Sequence, residues 1–258
     1  MKFNIHAGHN PDGKTACGAV GLIKESTEAR NVKDKVIQYL RKAGHTAYDC
    51  TCNSGTSQND VLREIIEKCN SRKVDIDVSI HFNAGANDKK GNGKSTGVEV
   101  LVHKETSKCY AEAVRVGKKL KEIGFKNRGI KINKDLYVLR KTNAPAMLIE
   151  VCFVDDKDDV DIYKKNVDKI SKAIAEALIN ETISSSSKSS SSSLSYKVKI
   201  TTDVLKVRKG AGTNFGTNGS VKEGQVYTIV EEKYNGMTKW GKLKSGAGWI
   251  SLNYTKKV

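Results

Sequence analysis

Two histidines and two glutamates of this 258-residue chain stand where a sheet protein could do metal chemistry: His9 in AGHN, Glu28 in EARN, His81 in SIHFNA and Glu150 in LIEVCF. Lys2 to His6 is a short β-prone run and residues 7–13, AGHNPDG, are turn-forming, which puts His9 in a loop just past a strand end. His6 is the competing imidazole; the Gly8-His9 pair and the place beyond the strand favour His9. Glu28 lies one helical turn before Val32 and two before Val36, continuing an apolar stripe. A carboxylate on such a stripe needs a partner, because burying it unpaired is costly, although an acid in a first helical turn is also favoured by the helix dipole. Glu25 offers the same group three residues earlier; the stripe favours Glu28. In VDIDVSIHFNAG, Ile76, Val78 and Ile80 alternate with Asp77, Ser79 and His81, so His81 ends a strand. Glu150 interrupts the apolar run Met147-Leu148-Ile149 near the same kind of end. Each of the four, taken singly, also reads as a satisfied buried polar group. Together, two neutral imidazoles and a carboxylate make a three-ligand zinc site with a fourth position open, and the second glutamate is free to move protons.

The elements that must position these groups alternate. Glu28 to Leu40 and Val61 to Cys69 carry helical spacing, as do stretches near Glu105 to Ile123 and Val160 to Leu178. Strand patterns fall at Asp75 to His81, Gly97 to His103, Leu136 to Leu139 and Ala146 to Val151. This alternation predicts an α/β domain with a mostly parallel sheet flanked by helices, whose strands deliver their C-terminal ends to one edge. Residues 184–195, SSSSKSSSSSLS, hold ten serines in twelve positions and read as a flexible tether spanning roughly 20 Å. The expected division is therefore 1–183, a 184–195 linker and 196–258. The last part shows short β-prone runs (VKI, VLKV, QVYTIVEE, WGKLK, GWISL) between glycine-rich turns, which predicts a small all-β barrel or sandwich. Trp240 and Trp249 are expected in its core.

The formal charge is +16, and residues 184–258 alone hold 13 Lys/Arg against 4 Asp/Glu. Such a balance predicts attraction to polyanions and does not choose among nucleic acid, anionic membrane and an acidic wall polymer. The tail lacks an aromatic strip for stacking bases, which argues against nucleic acid. No segment approaches the apolar length of a membrane span, and no leader-like segment precedes the first strand, so synthesis in the cytoplasm without membrane insertion is expected. The six cysteines are expected as thiols, Cys50-Thr-Cys52 included. Cys152 lacks a histidine partner for a nucleophilic role, and His45 and His103 have ordinary surroundings.

The motifs AGHN, EARN, SIHFNA and RGIKINKDLYVLRKTNAPAMLIEVCFV resemble the zinc-dependent N-acetylmuramoyl-L-alanine amidases of the amidase-3 type over about residues 1–180. The resemblance implies Zn2+ held by His9, Glu28 and His81, with Glu150 as catalytic acid or base. The implied reaction hydrolyses the amide between N-acetylmuramic acid and the L-alanine of the peptidoglycan stem. A zinc peptidase cutting within the stem uses the same chemistry, and a non-catalytic wall-binding protein on this scaffold is the other alternative. Residues 196–258, with LKVR, a glycine-rich turn and GWI, look like a bacterial SH3-type wall-binding domain. The pair resembles phage endolysins, which implies a Gram-positive, clostridial-type host, anionic wall polymers as the tail's partner, and access to the wall by holin-type release.

Overall fold

The computed structural model describes residues 1–183, 195–213, 215–235 and 238–258. The chain divides after Ile183 into two compact units; most of the serine-rich stretch at 184–195 lies outside the described residues.

The first unit is built on six strands: β1 (Lys2–Ala7), β2 (Thr46–Asp49), β3 (Ile76–Asn83), β4 (Val98–Val102), β5 (Asn127–Ile132) and β6 (Ala146–Phe153). They lie in the order β2-β1-β3-β6-β4-β5. The ladders β1–β2, β1–β3, β3–β6 and β4–β5 are parallel, while β4 runs antiparallel to β6. The sheet is thus mixed and flanked by helices on both faces.

Strand alternation sorts the side chains. Phe3, Ile5, Val78, Ile80, Met147 and Ile149 face one layer, made by α1 (Glu25–Lys42), α3 (Tyr110–Ile123) and α5 (Lys157–Ile179). On the other face Ala146 and Leu148 pack with Val61, Ile65 and Cys69 of α2 (Gln58–Asn70) and with Val138 and Leu139 of α4 (Tyr137–Lys141). Burying these apolar side chains is the main force that holds the layers together. The same alternation puts Asn4, His6, Asp77, Ser79 and His81 on this second face, so the polar residues of β1 and β3 line up toward one end.

Two expectations are corrected here. Residues 136–139 do not form a strand: Asn133 Oδ1 accepts the amides of Asp135 and Leu136, a local turn that launches the short helix α4. A four-residue apolar run is ambiguous between buried strand and buried helix, and the turn decides it. Helix α1 also begins at Glu25, three residues before the expected start.

The second unit is all-β: β7 (Tyr196–Ile200), β8 (Val204–Arg208), β9 (Thr217–Lys222), β10 (Val226–Asn235), β11 (Thr238–Leu243), β12 (Trp249–Ser251) and β13 (Thr255–Lys257). They form one antiparallel sheet in the order β13-β7-β10-β11-β12-β8-β9 around a core of Val198, Ile200, Leu205, Val207, Ile229, Leu243 and Ile250. Trp240 and Trp249 are both buried. Among the described residues no helix is long and apolar enough to cross a membrane, and all six cysteines are free thiols.

Candidate functional site

At the C-terminal ends of β1 and β3 the structure gathers His9, Glu25 and His81, whose ligand atoms all lie within 4.8 Å of one another. Glu25 Oε1 is 2.9 Å from His81 Nδ1 and 3.3 Å from His9 Nε2, and the two imidazoles meet edge to face at 4.9 Å. Glu25 is only 4% exposed, and its carboxylate also accepts the amides of Ala19 and Phe82. Burial alone pushes this acid upward, but the hydrogen bonds and charges of His81 and His9 outweigh that and hold it well below the usual carboxylate range. Burial lowers the pKa of His81, against the pull of Glu25. The result is an ionised carboxylate facing two imidazoles, of which His81 is disposed by its burial to stay neutral.

Glu28, expected among the ligands, lies apart. Its Oε2 accepts from the hydroxyl of Tyr163 on α5 at 2.6 Å. The stripe that Glu28 shares with Val32 and Val36 does need a partner for its acid, and α5 provides it. Because α1 starts at Glu25, it is the helix's first residue, at the end beside the His9 loop, that reaches the histidines. His6 is also outside the cluster: it is 1% exposed on β1, lies 3.3 Å from Ser79 Oγ, and burial lowers its pKa to about 3, so it remains neutral.

The backbone around the cluster is shaped to admit it. A Cβ on Gly8 would lie 1.8 Å from Cε1 and Nε2 of His81, and one on Gly18, where φ is +81°, would lie 2.5 Å from Glu25 Oε2 and 2.8 Å from His9 Cδ2. Only glycine fits at either position. Arg30, half-buried on α1, fixes the His9 loop by donating to the carbonyls of His9 (2.6 Å), Asn10 (3.3 Å), Ser26 (3.0 Å) and Cys52 (2.8 Å). The sequence signal for this role is confined to its place in the EARN motif; spacing alone does not reveal it.

Glu150 sits on β6 as the Cα partner of His81, with its side chain on the same face. Its Oε2 is buried and has no hydrogen-bond partner among the described residues. Burial, followed by the charges of Glu25 and Glu99, pushes its pKa up to about 8. An acid so placed exchanges a proton near neutral pH, beside a His-Glu-His set whose donors fit a divalent metal of the zinc type.

A family model described as N-acetylmuramoyl-L-alanine amidase matches residues 4–180. The chain belongs to this family. An uncharacterized protein of Clostridium perfringens strain 13 is 36% identical over 200 residues, 77% of this amidase-family chain and 58% of that protein. The endolysin of Bacillus phage SPP1 is 34% identical over 168 residues, 63% of this chain and 58% of the endolysin. This chain thus matches 58% of the length of each of those two relatives. The solved catalytic domain of the CD27L endolysin targeting Clostridia Difficile is 31% identical with a TM-score of 0.62, over 71% of this chain and 99% of that domain. The amidase-family match and the CD27L likeness both span the greater part of the chain, as the first unit does.

Proposed function

We propose that residues 1–183 are a zinc-dependent peptidoglycan amidase that cleaves the bond between N-acetylmuramic acid and L-alanine, endolysin-like in its action on the wall. The observation that carries this is the convergence of His9, Glu25 and His81 beside the buried Glu150 carboxylate, whose Oε2 has no partner among the described residues, in a chain of the amidase family. Nε2 of His9, Nδ1 of His81 and the Glu25 carboxylate would hold the ion. A zinc ion held there supplies a Lewis acid for the scissile carbonyl and lowers the pKa of water at its open position toward about 7.

The chain's own groups do the rest. Glu150 takes the proton of the attacking water and hands it to the departing amine of L-alanine. Its burial serves both halves of that task, because a carboxyl that titrates near neutrality accepts and returns a proton with comparable ease. Glu25, fixed by two backbone amides, keeps its geometry while charge redistributes next to it. Arg30 and the two glycines hold the His9 loop in place, and such fixed orientation is itself worth a large part of a rate enhancement.

Residues 196–258 are, in the same proposal, an SH3-type module that retains the enzyme on anionic wall polymers. The antiparallel all-β unit, the LKVR and GWI motifs and the excess of Lys and Arg support it. Lysis of purified Gram-positive walls tests the catalytic half. Activity is expected to vanish with a chelator and return with zinc, and Glu150→Gln is expected to lower the rate by about 10²- to 10⁴-fold, the usual contribution of a general acid–base. Undiminished lysis in chelator would overturn it.

A further inference from the structure

Past Glu150 on the same sheet face, two irregularities of the sheet converge. In the β3–β6 ladder His81 pairs with Glu150 but Asn83 pairs with Phe153, so β6 carries an extra residue. That bulge turns Phe153 onto the face that Glu150 occupies. In the β4–β5 ladder Val98 pairs with Asn127 and Val100 with Ile130, so Glu99 faces the two residues Arg128 and Gly129. Gly129 has φ +82°, the left-handed conformation that a glycine bulge uses. Glu99 is itself the Cα partner of Glu150 across the β4–β6 ladder.

The consequence is a built array. Glu99 accepts from Arg128 Nε at 2.5 Å and from Asn83 Nδ2 at 3.2 Å. The Arg128 guanidinium lies over the Phe153 ring, 5.2 Å from its centroid. Nε is thus engaged and the plane of the guanidinium is fixed by the ring, while the two Nη groups donate to no protein acceptor among the described residues. The side chain is 34% exposed. If neutralising Glu99 were the whole purpose, the two-pronged arrangement using Nε and Nη together would be the stronger one. Here one prong is anchored and the rest of the fork is left free.

We propose that Arg128 binds a carboxylate on the peptide arm of the substrate, with Glu99, Asn83 and Phe153 as its positioning residues. This rests on the amidase reading and adds to it the group by which substrate is chosen. Once the lactyl carboxyl is tied up in the scissile amide, the sugar half carries no anionic group; free carboxylates belong to the peptide half. Arg128 stands two strands from Glu150, about 10 Å at the usual strand spacing, which an extended peptide covers within two or three residues. The first carboxylate within that reach is that of the residue following L-alanine.

Two soluble muramoyl dipeptides, one with that carboxylate free and one with it amidated, test the proposal on the full-length protein. The expected kcat/KM favours the free acid by about 10- to 100-fold, the cost of losing charge-assisted hydrogen bonds, and the difference lies in KM. Arg128→Gln removes the preference, while Arg128→Lys keeps part of it. Calorimetric titration of the same peptides into Glu150→Gln and into the Arg128→Gln, Glu150→Gln double variant reads the preference without turnover. If the parent protein cleaves neither peptide the hydrolase reading fails, and binding still decides the role of Arg128. Binding of neither peptide, equal binding of both, or a preference that survives Arg128→Gln overturns it.

Discussion

Glu25 and Glu28 are one helical turn apart with identical side chains, yet one faces two imidazoles and the other a tyrosine hydroxyl. Exchanging each for glutamine separates the two roles. Glu25→Gln is expected to lose bound zinc by more than the roughly 10- to 100-fold that loss of a supporting partner costs, and to lose lysis with it. Glu28→Gln keeps an acceptor for Tyr163 and is expected to retain both; metal content by elemental analysis after dialysis reads the difference. Retention of zinc by Glu25→Gln with loss in Glu28→Gln would reverse the assignment. The types of the site residues were legible in the sequence, as were His9, His81 and Glu150 at strand ends. The choice of glutamate was not, because a helical period says which residues share a stripe and is silent on where the helix begins. The start is set by the backbone pairing of Val20 with Lys24 and of Glu25 with Ala19, which no periodicity records.

Strands β1, β3 and β6 were readable because each is an apolar run or a strict alternation, and the site hangs on their ends. Strand β5 was not, since Asn127–Ile132 is charged and glycine-broken and lies at the sheet's edge, where no second neighbour demands apolar side chains. Bulges are equally invisible to a period-two pattern, which is why Arg128 and Phe153 emerge only from the ladder register. The alternation also buries a polar row beneath the site. Asp77 is 2% exposed; its Oδ1 accepts from Asn4 Nδ2 at 2.7 Å, while its Oδ2 has no hydrogen-bond partner among the described residues. Burial raises its pKa to about 6, against about 3.9 in an unfolded chain. The folded state then holds the proton more tightly, so between about pH 4 and pH 6 stability falls as pH rises, by up to about 3 kcal/mol. Asp77→Asn is accordingly expected to stabilise the first unit by roughly 1–3 kcal/mol at pH 8 and not at all near pH 3.5. Urea denaturation at the two pH values measures this; an equal difference at both would show that the charge is not the cause.

At the scale of the whole chain the two units differ in charge, and the wall-binding role proposed for the second rests on that difference. The short second part carries 13 basic residues against 4 acidic ones, so its hold on an anionic wall is expected to weaken steeply with salt, whereas cleavage of soluble fragments by the first unit is not. A chain ending at Ile183 is expected to cut soluble muramoyl peptides as the full chain does and to sediment less with whole walls at low ionic strength. Equal retention of the two would remove the binding role from residues 196–258. The bond broken at the His9–Glu25–His81 centre decides between an amidase and a peptidase. The most direct measurement is digestion of purified Gram-positive peptidoglycan followed by identification of the new amino end. A free amino group on L-alanine is expected, absent with chelator and absent with Glu150→Gln. New amino ends at any other residue of the stem would contradict it and make this centre a peptidase.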